Sequence, residues 1–348
     1  MKQTFRAAFR WHLVLAALVL CTIAAAIPVH AQPPYRVLDR WTLPDPGGWD
    51  YVTVDPSAHR LYITRGDHVD VLDTASGRPT GTIAGLGRIH GVALDTAGRF
   101  GYISDAGTNT VVVFDRATLA TIASIPAGSG PDGITFEPAT QTVWAFNGRS
   151  HDATVIDAAT RKVVATIALP GKPESAAVDG TGILYDNIED KNQIVRLDAH
   201  SLKLTATWDL KDCESPSGLA FDTAGHRLFP VCDGKKMAVV DSLTGASLAS
   251  ATIGDGPDAA GWSAAHKFAF ASCGEGVLSV VDAGSPAYKT IQTLPTQKGA
   301  RTMAYDPASD RVYLITATFG PRPDPTPENP RPRAPMIPGT FTVLVVGR

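Results

Sequence analysis

The chain of 348 residues is 44% hydrophobic and 19% charged, with 32 Gly, 26 Pro and a formal net charge of −3. That composition is globular and turn-rich, which excludes a disordered chain and argues against a helical bundle. Its one long apolar run, residues 13–27, is shorter than the roughly 20 residues a spanning helix needs, which excludes a multispanning membrane protein.

The first predicted element is a signal peptide over residues 1–31. Lys2, Arg6 and Arg10 supply a positive n-region, residues 13–27 the apolar h-region, and Val29-His30-Ala31 a small-x-small cleavage site. Cys21 lies inside the apolar run, which argues against a lipoprotein. The signal holds three of the 31 Lys and Arg and none of the 34 Asp and Glu, so its removal leaves a formal charge of −6. The remainder is expected as a monomer in the periplasm or secreted, with no transmembrane segment. A mildly acidic surface gives a polyanion no electrostatic foothold, so nucleic acid is not an expected partner.

Next comes a strand at residues 35–44, followed by internal repeats. Seven segments align from their opening residues: Asp50-Tyr51-Val52, His90-Gly91-Val92, Asp132-Gly133-Ile134, Glu174-Ser175-Ala176, Ser217-Gly218-Leu219, Asp258-Ala259-Ala260 and Arg301-Thr302-Met303. Their spacings of 40, 42, 42, 43, 41 and 43 residues match a four-stranded propeller blade. Each repeat reads as an apolar entry strand, a turn opened by an acid (Asp55, Asp95, Glu137, Asp179, Asp222, Asp306; Ser263 in the sixth repeat), then a second strand with an aromatic. A third strand ends in Asp (Asp73, Asp115, Asp157, Asp198, Asp241, Asp282), and a fourth follows. Acids recurring at fixed offsets beside turns are read as turn caps, not as catalysts. The seventh repeat lacks its outer strand, which the segment 35–44 resembles. The predicted fold is therefore an all-β, seven-bladed β-propeller spanning 35–348, its last blade closed by the N-terminal strand so that no edge is left free.

Pro131-Asp132-Gly133, Tyr102-Ile103-Ser104-Asp105, Trp144-Ala145-Phe146-Asn147 and Ala153-Thr154-Val155-Ile156-Asp157 carry a resemblance to the YVTN β-propeller repeat family, which includes YncE-like exported proteins. The resemblance covers nearly all of residues 35–348 and implies the fold more strongly than any function, because its motif residues are turn and core positions. Two departures stand out. Cys232 and Cys273 replace the usual Asn at the end of the second strand, and the seventh repeat carries a long insert. Some members of the family are associated with DNA, an inheritance that the acidic charge argues against here.

Three thiols follow the signal: Cys213, Cys232 and Cys273. Cys232 and Cys273 occupy equivalent positions in adjacent blades, where fanning strands separate them, so the expected disulfide is Cys213 with Cys232. Three unpaired buried thiols are the alternative.

The entry residues Asp50, His90, Asp132, Glu174, Ser217, Asp258 and Arg301 are expected to ring the mouth of the central channel. Four facing carboxylates repel one another unless a cation or Arg301 neutralises them. Asp50, His90, Asp132 and Glu174 are the candidate metal ligands, for calcium if water and carbonyls fill the shell, or manganese or zinc if His90 binds. The alternative is a hydrated mouth with an Asp50, Arg301 and His90 salt-bridge network. His68 and His151 are placed on the same face, His59, His226 and His266 in the opposite, solvated turns. The insert 319–338 holds eight prolines with Arg322, Arg331 and Arg333, an extended semi-rigid composition that can lie over the mouth.

No Gly-x-Ser-x-Gly, Walker, haem-attachment or His-Glu-x-x-His motif occurs. Two functions remain. One is a binding protein whose loop-rich mouth, through Asp50, His90, Asp132, Glu174, Asp258 and Arg301, takes a small ligand, a metal ion or a protein partner. The other is a metal-dependent hydrolase similar to propeller lactonases of the gluconolactonase type, with Glu174, Asp132 and Asn147 as its metal set.

Overall fold

Acid-led turns separate short runs of β-branched and aromatic residues, so each run can only pair with its neighbour as an antiparallel meander. The computed structural model describes residues 34–44, 47–326, 329–330, 332 and 334–348. The expected signal peptide, residues 1–31, lies outside the described residues, as do Pro327, Arg331 and Arg333 of the insert. The described residues form seven four-stranded sheets, six of them consecutive meanders. Blades 1 to 7 enter at Val52–Asp55, Ile89–Leu94, Pro131–Glu137, Pro173–Val178, Leu219–Asp222, Pro257–Ser263 and Thr302–Asp306. One 3-10 turn, Glu189–Lys191, interrupts the all-β pattern. No helix among the described residues is long and apolar enough to cross a membrane.

Blade 7 is built from both ends of the chain. Thr302–Asp306, Arg311–Thr316 and Phe341–Gly347 are its first three strands, and Arg36–Leu43 is its outer one. The N-terminal strand runs antiparallel to Phe341–Gly347, from Arg36 opposite Gly347 to Leu43 opposite Phe341. Closure of the last blade by the N-terminal strand is thus as the repeats imply.

The recurring residues serve packing and turns. The second-strand aromatics Tyr62, Tyr102, Trp144, Tyr185, Phe229, Phe270 and Tyr313 are buried between blades. Asp73 accepts the amides of Ala75 and Ser76, Asp115 those of Ala117 and Thr118, and Asp198 those of His200 and Ser201. These are Asx turns, the structural role read for the repeated acids.

Two turn acids do more. Asp55 and Asp95 both receive the buried Arg116 guanidinium, which also donates to the Asp95 carbonyl at 2.8 Å, clamping blade 1 to blade 2. Truncating Arg116 leaves two buried carboxylates unpaired, at a cost of about 3–5 kcal/mol. Arg116→Ala is therefore expected to lower the urea-unfolding free energy by about that amount, whereas the exposed control Leu243→Ala stays within about 0.5 kcal/mol of the parent chain. A loss under about 1 kcal/mol for Arg116→Ala would show that the clamp is dispensable.

Cys213 and Cys232 are joined in a disulfide with their Cα atoms 5.2 Å apart, and Cys273 is a buried free thiol. The bridge fastens the loop entering blade 5 to the end of that blade's second strand, where the entry strand is only four residues long.

Candidate channel-mouth site

The entry strands bring their first residues to one opening, and a backbone irregularity aims several of them. The ladder slips between Ile89 and Val92, Pro131 and Ile134, Pro173 and Ala176, and Pro257 and Ala259. His90, Asp132, Glu174 and Asp258 sit on these bulges, which re-aim side chains away from the regular alternation. Gly91, Gly133 and Gly218 follow the ring residues because the strands crowd there. A Cβ on Gly133 would stand 2.2 Å from the Glu174 carbonyl oxygen.

The ring divides into three charge clusters. In the first, His90 Nδ1 contacts Asp50 Oδ2 closely and lies 3.6 Å from Asp132 Oδ1. One ligand atom each from Asp50, His90 and Asp132 lies within 4.8 Å of the others. In the second, Lys172 Nζ lies 3.1 Å from Glu174 Oε2 and also pairs with Glu189. In the third, Arg301 Nε approaches Asp258 Oδ2 at 3.4 Å, with Thr302 Oγ1 donating to the same oxygen at 3.3 Å. Of the four expected metal ligands, Asp50, His90 and Asp132 are therefore brought together, and Glu174 is not among them. Arg301 pairs with Asp258 and not with Asp50, and Glu174 is held by Lys172, which sequence reasoning missed because it lies outside the aligned triplets.

Burial sets the titration of the mouth. It pushes the Glu174 carboxyl up to about 7, with Asp132 adding repulsion against the pull of Lys172. Burial likewise raises Asp132, opposed by His90 and reinforced by Asp50, and raises Asp258 against the pull of Arg301. For His90, burial works downward, but the hydrogen bond to Asp50 and the charges of Asp132 and Asp50 hold the imidazole above its ordinary value. The imidazolium is thereby stabilised, and a metal ion would have to displace its proton.

Tyr51 was missed although the repeats display it. The second triplet position holds Gly91, Gly133, Ser175, Gly218, Ala259 and Thr302 in the other blades, so Tyr51 is the one large side chain at that level. All seven residues line a channel cavity of about 190 Å³. Burial, then the charges of Asp132, Glu174, Asp50 and Asp258, push its phenol well above the ordinary range. A neutral hydroxyl is thereby kept among carboxylates, where it can donate.

Asp186 was missed as well. It is fully buried on the second strand of blade 4, and neither carboxylate oxygen has a hydrogen-bond partner among the described residues. Burial raises its carboxyl well above the usual range, with Glu174 and Asp132 adding to the shift. The Asn147 amide nitrogen donates to Asp152 at 2.6 Å and Thr154 at 2.9 Å, while its Oδ1 has no hydrogen-bond partner among the described residues. On the opposite side His59 and His226 are exposed, as expected, but His266 is half-buried and Nε2 pairs with Asp310 at 3.2 Å.

No family model matches the chain. Over 148 residues, 40% of the chain, it is 30% identical to YncE of Salmonella typhimurium and equally to YncE of Salmonella typhi. The chain resembles YncE. It spans 42% of the length of these curated relatives, so what they share is part of the propeller. The YVTN-type reading of the repeats and the YncE likeness agree, and the seven blades extend that agreement across the described chain. Among solved structures, a chain of Kuenenia stuttgartiensis hydrazine synthase superposes with a TM-score of 0.69 at 17% identity, covering 77% of this chain and 92% of that one. U3-55K superposes with a TM-score of 0.72 at 9% identity, covering 89% and 98%. At these identities the likeness is one of fold alone.

Proposed function

We propose that this YncE-like propeller is a binding protein whose channel mouth takes a divalent cation through Asp50, His90 and Asp132. The observation that carries the reading is the convergence of two carboxylates and an imidazole within 4.8 Å, on strands distant in sequence, at an opening ringed by further acids. One imidazole with carboxylate oxygens suits zinc or manganese better than calcium, which prefers an all-oxygen shell. The ion replaces the His90 proton, so its affinity rises with pH. The disulfide and the signal-like N-terminal residues support export to an oxidising compartment.

Calorimetric titration with zinc and manganese tests this. Wild type is expected to bind one ion per chain, more tightly at pH 8 than at pH 6. Asp50→Asn with Asp132→Asn weakens binding by about a hundredfold or more, since each replaces a charged ligand. Asp115→Asn with Asp157→Asn, which removes half-buried turn acids away from the mouth, leaves it unchanged. No binding by wild type, or equal binding by the two double variants, overturns the proposal. The hydrolase alternative draws on Glu174, whose carboxyl near pH 7 suits a general base beside such an ion. It requires lactone turnover that Glu174→Gln abolishes while ion binding survives.

A further inference from the structure

Beside the channel mouth the proline-rich insert folds back on blade 7. Its two ends pair as a short ladder, with Gly320 N donating to the Pro335 carbonyl and Ile337 N to that of Thr318, both at 2.8 Å. Phe319 stands opposite Met336 in that ladder. Between the insert, residues 297–299 and the segment before blade 1 lies an open cleft of about 1000 Å³. That is the upper end of the size range of small-molecule sites, about 300–1,000 Å³.

The cleft has two chemically distinct parts. Trp49, Phe319 and Met336 give it an apolar wall, with the Trp49 ring 5.9 Å from Phe319 and 5.3 Å from Phe341 behind it. Lys298, Arg301 and Arg322 bring cations to the same lining, against the single carboxylate of Asp50. Arg301 is engaged by Asp258, and Asp50 by His90. Lys298 and Arg322 have no ion-pair partner among the described residues. On an acidic chain, two uncommitted cations facing an aromatic wall form a local field opposite in sign to the neighbouring ring.

We infer that this cleft binds a small amphipathic anion, its flat apolar body against Trp49, Phe319 and Met336 and its carboxylate, sulfonate or phosphate at Lys298 and Arg322. The anionic group gains charge-assisted hydrogen bonds that a neutral analogue of the same shape lacks. The inference does not rest on the cation reading, because Lys298 and Arg322 are not ring residues.

Two fluorescent probes of matched shape test it: the anionic 8-anilinonaphthalene-1-sulfonate and the neutral N-phenyl-1-naphthylamine. The sulfonate is expected to bind saturably at one site per chain. Lys298→Gln with Arg322→Gln weakens it about tenfold or more and the neutral probe less than about twofold. Gly48 lines the cleft, a Cβ added to it would meet nothing within 4 Å, and its backbone is not left-handed, so Gly48→Leu is expected to fill the cleft without disturbing the fold. That variant weakens both probes about tenfold or more. The inference is overturned if wild type shows no saturable site, if the double variant binds the sulfonate as wild type does, or if Gly48→Leu binds both probes unchanged. The double variant retains all ring carboxylates, so its zinc titration separates failure here from failure of the cation site.

Discussion

Deletion of residues 34–44 is expected to abolish cooperative thermal unfolding and to turn the product into aggregates on size-exclusion chromatography. The segment supplies the outer strand of blade 7, and what it covers differs from what outer strands cover elsewhere. All seven residues of Phe341–Gly347 are buried, and none carries a charge. Unpaired, that strand becomes a long apolar edge of the kind that recruits other chains. The deletion also removes Trp41, which is buried with its ring 5.7 Å from Tyr313 and helps join blade 7 to blade 1 in one apolar cluster. Trp41→Ala alone is expected to cost about 3–5 kcal/mol in urea unfolding. A chain lacking 34–44 that elutes and melts as the intact protein does would show that the ring is closed by other contacts.

The same arrangement explains what the sequence made legible. The blades solve one packing problem with the same devices, an acid at nearly every turn and an aromatic on the second strand, so Tyr62, Trp144 and Tyr313 report their burial through recurrence. The channel-mouth residues were legible for the related reason that rotational repetition carries aligned positions to one axis. Residues outside the alignment were not. Lys172 acts from a connecting loop, and the cleft under the insert depends on Phe319 and Met336, which no other blade possesses. Tyr51 and Asp186 form a third class, visible in the alignment as exceptions to it. At the position of Asp186 the other blades carry Ile63, Ile103, Ala145, Pro230, Ala271 and Leu314. A carboxyl in a column of apolar residues is a departure that the packing does not ask for.

That departure gives the second large effect. Asp186→Ala is expected to raise stability at pH 7 by about 1–3 kcal/mol, the cost of holding an unsatisfied polar group in the interior. Ala145 and Ala271 fill the same position in blades 3 and 6, so the shorter side chain is already accommodated by the fold. The titration has a definite sign. Burial keeps Asp186 protonated in the folded chain at pH values where the unfolded chain has released that proton, and the same holds for Glu174 up to about pH 7. A raised folded-state pKa stabilises fully below the ordinary carboxylate range and less as pH climbs toward the folded value. Stability is therefore expected to fall between pH 4 and 7, by about 1.4 kcal/mol per pH unit for each retained proton. Asp186→Asn separates the two contributions: an amide keeps a polar group buried but carries no titrating proton. It is expected to remove one proton's worth of that slope, without the full stabilisation given by Ala. The measurement is urea unfolding at pH 5, 6, 7 and 8 with EDTA present, so that no ion at the mouth couples to the carboxyls. An unchanged slope in Asp186→Asn would place the buried charge elsewhere, in Glu174 and its neighbours at the mouth.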